Sequence, residues 1–232
     1  MTFRSRKRVL IAPDAFKGSL SCVDVAASMV RGFKQASPET ELVVMPMTDG
    51  GEGALAAIST ALDGHMMPLT VLGPYGDALE ASWWLTDDLA VIEMAQASGL
   101  SLSARREPLS ACSFGTGQLL QAALATEVPE VWLCCGGSAT VDGGAGLLKA
   151  LGFELLDRFE QPIGPGGGAL LELNSIRSPR LELAAEIKVL CDVVNPLTGS
   201  DGAAHVYGPQ KGAGPEEIIH LDAGLSRLAQ VL

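Results

Sequence analysis

Short apolar runs that break straight into loops of glycine, proline and aspartate recur along this chain, and a helical pattern follows most of them. Arg8–Ala12 stops at Pro13-Asp14, and Leu42–Met47 leads into Asp49-Gly50-Gly51-Glu52-Gly53. Leu89–Met94 is a third run, Val131–Cys135 opens into Gly136-Gly137, and Ile187–Cys191 meets Asp192-Val193-Val194-Asn195-Pro196. Runs this short, bounded by turn residues, read as buried strands. Between them, Ser21–Asp24 fits a helix-capping box, and Val25, Ala26, Met29, Val30 and Phe33 follow at helical spacing. Further helical patterns cover the Ala/Leu/Ile stretch to about Leu62, Gln118–Ala125, Ala145–Leu151 and the segment from Pro215. Strand, loop and helix in alternation predict an α/β fold with a largely parallel sheet. Asp63-Gly64-His65 and the turn-rich Gly73–Asp77 read as a break, which divides the chain into units 1–64 and 65–232.

Composition narrows the function. The 232 residues carry a net charge of −11, although Arg4, Arg6, Lys7 and Arg8 crowd the first eight positions. The rest of the chain is therefore more acidic still, which argues against a nucleic-acid partner. No apolar run reaches the length of a membrane span, and Val9–Ala12 is too short for a secretory h-region. Five cysteines, two of them adjacent at Cys134-Cys135, match neither a disulfide framework nor a zinc pattern. Reduced thiols and a cytoplasmic location are the expectation.

Several familiar motifs fail. No Gly-Lys dipeptide occurs, so there is no P-loop. Gly164–Ala169 matches G-x-G-x-x-A but follows polar residues rather than a strand. Gly136-Gly137-Ser138-Ala139-Thr140 lacks the final glycine of a nucleophile elbow. The histidines His65, His205 and His220 have no metal-ligand spacing.

What remains is a set of loops at the carboxyl ends of the expected strands, the edge where open α/β sheets bind ligands. They are Pro13–Ser19, Asp49–Gly53, Ser113-Phe114-Gly115-Thr116-Gly117, Gly136–Gly144 and Asp192–Pro196. Taken singly, each is an ordinary turn with Asp or Ser as a cap. Together they gather backbone amides that suit anions and carboxylates that suit Mg²⁺. Lys17 and Lys211, in loops flanked by Gly or Pro, are the natural suppliers of positive charge.

These stretches resemble the bacterial class I glycerate kinases (glycerate 2-kinases). The resemblance runs in order through IAPDAFKGSL (Ile11–Leu20), DGGEG (Asp49–Gly53), VIEMAQASGL (Val91–Leu100) and SFGTG (Ser113–Gly117). It continues through GGSATVDGGAGLLKALG (Gly136–Gly152), GPGGGAL (Gly164–Leu170), CDVVNPL (Cys191–Leu197) and GPQKGA (Gly208–Ala213). The resemblance implies two α/β domains with a substrate cleft between them, one of them built from both ends of the family's longer chain. It implies ATP and Mg²⁺ as cofactors, D-glycerate as substrate, 2-phosphoglycerate as product, and leaves a homodimer open.

Phosphoryl transfer needs positioning and charge neutralisation more than covalent help. On that basis Asp14 or Asp192 would orient and deprotonate the glycerate hydroxyl, while Lys17 and Lys211 would neutralise phosphoryl oxygens or the carboxylate. Asp49, Glu52 or Asp142 would hold Mg²⁺. Ser19, Gly50, Gly51, Gly115, Thr116, Gly136, Gly137, Ser138 and Asn195 would bind substrate or phosphate. Family chains extend further than Leu232, so a binding-only homologue is the alternative expectation. The unit 1–64 is then expected to expose Val9, Leu10, Ile11, Val43 and Val44 near an open sheet edge.

Overall fold

The computed structural model of the chain describes residues 8–16, 18–180 and 184–232. Lys17, a candidate from the sequence, lies outside the described residues, as do Arg4, Arg6 and Lys7.

The first elements are β1 (Arg8–Ile11), α1 (Cys22–Ala36), β2 (Glu41–Val44) and α2 (Ala54–Ile58). The capping box forms as the sequence predicts: the Asp24 amide donates to Ser21 Oγ, which itself donates to the Asp24 carboxylate. β1 and β2 pair in parallel as a sheet of two. Beyond the ladder the Met47 amide still donates to the Pro13 carbonyl, so Asp14 and Thr48 emerge at the same edge.

Next come β3 (His65–Leu72), β4 (Ala78–Leu85), β5 (Leu89–Glu93), the single turn α3 (Ala95–Ser98), α4 (Phe114–Leu124), β6 (Glu130–Cys134) and α5 (Ala145–Ala150). β7 (Glu154–Leu156), β8 (Ser175–Arg177), β9 (Glu186–Leu190), α6 (Ala203–Tyr207) and α7 (Pro215–Val231) complete the order. The central sheet runs β3-β4-β5-β6-β9. Its β5-β6-β9 side is parallel and its β3-β4-β5 side antiparallel. The α/β class and the parallel pairings agree with the sequence pattern. The hairpin corrects it: Gly73–Asp77, read as a break, is the turn joining β3 to β4, closed by a Gly73 amide that donates to the Asp77 carbonyl at 2.7 Å.

The main core lies between this sheet and α4, where Ile92, Val131, Leu119, Leu120 and Ala123 are fully or almost fully buried. On the other face Leu55 of α2 packs with Trp84, Val91 and Cys134. A second core under α7 gathers Leu221, Leu225 and Leu228 with Leu155 and Leu170. β9 differs from its expected burial. It is the sheet's edge strand, and its Val189 is 58% exposed.

Candidate functional site

Two glycine loops close on each other at the carboxyl edge of the sheet. The Gly136 amide, just beyond β6, donates to the Gly50 carbonyl at 3.0 Å. A Cβ on Gly136 would stand 2.5 Å from the Gly51 Cα, so no larger residue fits between the two backbones. Gly50 in turn lies against the Leu190 carbonyl at the end of β9. The loops after β2, β6 and β9 therefore meet at one place, beside Glu52, whose carboxylate accepts from the Ser101 hydroxyl at 3.0 Å.

Glu93 anchors this meeting point from below. It ends β5 at only 1% exposure, and its two carboxylate oxygens accept from the Gly53 and Leu55 amides at 2.8 and 3.0 Å. Burial raises its carboxyl above the ordinary glutamate value; the two amide bonds oppose that rise and the Glu52 charge adds to it. The sequence reading missed Glu93. The available signal was an acidic residue closing an otherwise apolar run, Leu89–Glu93.

Lys211 enters from the far side of the chain, on a short 3-10 turn, Pro209–Lys211. Its ammonium donates to Ser138 Oγ at 2.9 Å and to the Thr140 carbonyl at 2.6 Å. Burial pulls its pKa down to about 8, while the nearby Asp142 charge pulls the other way. The structure thus brings together Asp49, Gly50, Gly51, Glu52, Gly136, Gly137, Ser138 and Lys211.

Other candidates are placed differently. Asp142 is 1% exposed and accepts from the Ser113 amide and hydroxyl and from the Gly144 and Gly146 amides. Both of its oxygens are spent tying the start of α4 to the start of α5, which leaves it poorly suited to hold Mg²⁺. Gly115 and Thr116 are not in an open loop, because α4 starts at Phe114 rather than Gln118. A Cβ on Gly115 would meet the Leu72 carbonyl at 1.9 Å, so this glycine lets α4 pack hard against β3. Thr116 is buried, with its hydroxyl 2.8 Å from Ser98 Oγ. The Gly50 and Gly51 amides are already given to Thr48 Oγ1 and to the Asp49 carboxylate.

Asp14 and Ser19 are exposed beyond β1, where the Ala15 amide donates to Asp14 and the Ser19 amide to the Phe16 carbonyl. Asp192 is exposed two residues past β9. Asn195 bonds locally, donating to the Asp201 carbonyl and accepting from the Tyr207 hydroxyl. Among the described residues, no cluster of three or more His, Cys, Asp or Glu could by itself hold a metal ion. Asp49 and Glu52 are carboxylates of a single five-residue turn, the hard oxygen donors that Mg²⁺ takes in ones or twos with water completing its shell. No helix among the described residues is long and apolar enough to cross a membrane.

Comparison with known proteins gives this arrangement its relatives. The model of the glycerate kinase family matches residues 9–232. A glycerate kinase of Halalkalibacterium halodurans is 46% identical over 97% of this chain and 61% of its own length. A glycerate 2-kinase of Escherichia coli K12 is 44% identical, over the same shares. A crystal structure assigned to glycerate kinase 2 of Salmonella typhimurium LT2 superimposes with a TM-score of 0.84 at 42% identity, over 98% of this chain and 63% of that one. The chain spans about three fifths of the length of the curated relatives it matches.

Proposed function

Because this chain belongs to the glycerate kinase family, we propose that it catalyses ATP-dependent, Mg²⁺-assisted phosphorylation of D-glycerate, with 2-phosphoglycerate as product. The observation that carries the reading is the convergence of the 49–53 and 136–140 loops with the Lys211 ammonium at one sheet edge. Lys211 supplies positive charge to an otherwise acidic chain and stands where phosphoryl oxygens would meet the Gly137-Ser138 backbone. Asp49 and Glu52 would hold Mg²⁺, which supplies charge neutralisation on the nucleotide phosphates when bound. Asp192 or Asp14 would accept the glycerate hydroxyl proton, and Lys17 would share the anion. Glu93 fixes the turn that carries Asp49 and Glu52.

The test is ADP release with D-glycerate, ATP and Mg²⁺, beside a ligand-binding assay and phosphorus NMR of the product. Lys211→Met should lower turnover by about 10²–10³ if it stabilises developing phosphoryl charge. Asp192→Asn should abolish most activity while the fold persists, because the amide cannot serve as a base near neutral pH. Binding of both ligands without turnover would replace this reading with that of a binding protein. A 3-phosphoglycerate signal would correct the position of transfer.

A further inference from the structure

β6 and β9 pair in parallel register, Cys134 standing opposite Leu190 at the end of the ladder. The pairing reaches one step further, since the Cys135 amide donates to the Leu190 carbonyl at 3.4 Å. The next residues on the two strands are Cys135 and Cys191. Side chains alternate between sheet faces, and the packing shows which face these two share. Val131 and Leu133 lie in the core beneath α4, and Cys135 packs with them. Ile187, the register partner of Val131, joins the same core. Cys134 and Leu190 belong to the opposite face, with α2. Cys135 and Cys191 therefore continue one row on one face, as cross-strand neighbours.

Adjacent strands lie about 4.8 Å apart, inside the Cα separation of about 4.4–6.8 Å that a disulfide spans. A disulfide holds its Cβ atoms about 3.8 Å apart, so the two strands must draw together by about 1 Å from the ordinary spacing, at the end of their ladder. The two thiols differ in access. Cys191 is exposed, whereas Cys135 is half-buried. Burial, and then the neighbouring Cys191, push the Cys135 thiol up to about 11. Cys22, Cys112 and Cys134 are buried, and Cys134 points to the wrong face.

We propose that Cys135 and Cys191 form a reversible cross-strand disulfide, a redox-modification site served by low-molecular-weight disulfides. The Cys191 thiolate attacks one sulfur of the small disulfide, forms a mixed disulfide and releases one small thiolate. Cys135 then loses its proton to solvent and attacks the Cys191 sulfur, displacing the second small thiolate. The two protein thiols are oxidised to one bond, and the small disulfide is reduced to two thiols that take up the released protons. The bond staples the root of the Gly136 loop to the root of the Asp192 loop. This chemistry stands independently of the phosphoryl-transfer reading.

The full chain is incubated with oxidised glutathione at mildly alkaline pH and mapped by mass spectrometry without reductant. The expected product joins the Cys135 and Cys191 peptides, lighter by two hydrogens than their sum, and dithiothreitol reverses it. Cys135→Ser should stop at a glutathione adduct on Cys191, Cys191→Ser should give no internal cross-link, and Cys134→Ser should still cross-link. A lasting glutathione adduct on Cys191 of the unaltered chain, or a cross-link through Cys134, overturns the proposal.

Discussion

The β1–β2 and β5–β6 pairs are alike in hydrogen bonding: both are parallel, both in register over four or five residues, and both lead into glycine loops. They differ in what covers them. Val91 and Ile92 of β5 are completely buried, with α4 on one face and α2 on the other. In the first pair Leu10 is 59% exposed and Val44 44% exposed, with α1 packed against both strands. Ladder bonds give each pair its geometry; the layers on either side give it stability.

Ile92→Ala tests that contrast with the largest expected effect. Emptying a buried isoleucine site should cost about 2–5 kcal/mol in urea unfolding. Leu10→Ala should cost a small fraction of that, and equal costs would break the comparison. Hydrogen exchange should likewise be faster in β1–β2 than in β5–β6.

Glu93 joins the two regions, so Glu93→Gln comes next. An amide side chain can accept from only one of Gly53 and Leu55, leaving a donor unmet at about 1–3 kcal/mol. Its pH dependence sharpens the point. A carboxyl raised by burial binds its proton better folded than unfolded. Stability should therefore fall as pH rises from the ordinary glutamate value through the raised one. The Gln variant should lack that fall in melting curves.

Lys211 gives a shift of opposite sign. With a folded value of about 8, it sheds its proton more easily folded than unfolded. Stability should rise from about pH 8 toward the ordinary lysine value, while phosphate affinity falls over the same range. Lys211→Met should flatten both profiles; a wild-type affinity unchanged across pH 8 would take the ammonium out of the site. The smallest effect belongs to Arg8, paired with Glu41 at the surface. Arg8→Ala should leave the urea midpoint where it is, because exposed ion pairs contribute little.

The parallel strands and their loops were legible because each is a short apolar run with a turn at its end. The β3–β4 hairpin was not. Met67, Leu69 and Val71 face inward, but Met66 and Leu72 lie exposed between turns of the same pattern, and Pro68 argues against a strand. Alternation is blurred when apolar residues occupy both faces. In the site, residue types were readable but facing was not. Asp142 and Thr116 look like loop ligands in one dimension and are buried caps and packing groups in three. The donors that hold Glu93 lie some forty residues earlier, and the Cys135–Cys191 juxtaposition exists only through the β6–β9 register.

The order β3-β4-β5-β6-β9 across the central sheet is also the order along the chain. Each strand can therefore dock on the free edge of the one made before it, without waiting for a partner still to be synthesised. The β3–β4 hairpin closes a short loop, and such turns zip within about 1–10 μs. β9 must bridge more than fifty residues from its partner β6 and comes last. Pulse-labelled exchange during refolding should find the β3–β4 amides protected first. A ribosome extruding this chain would release a sheet that grows in one direction, the loop after β9 joining the glycine loops only when that strand arrives.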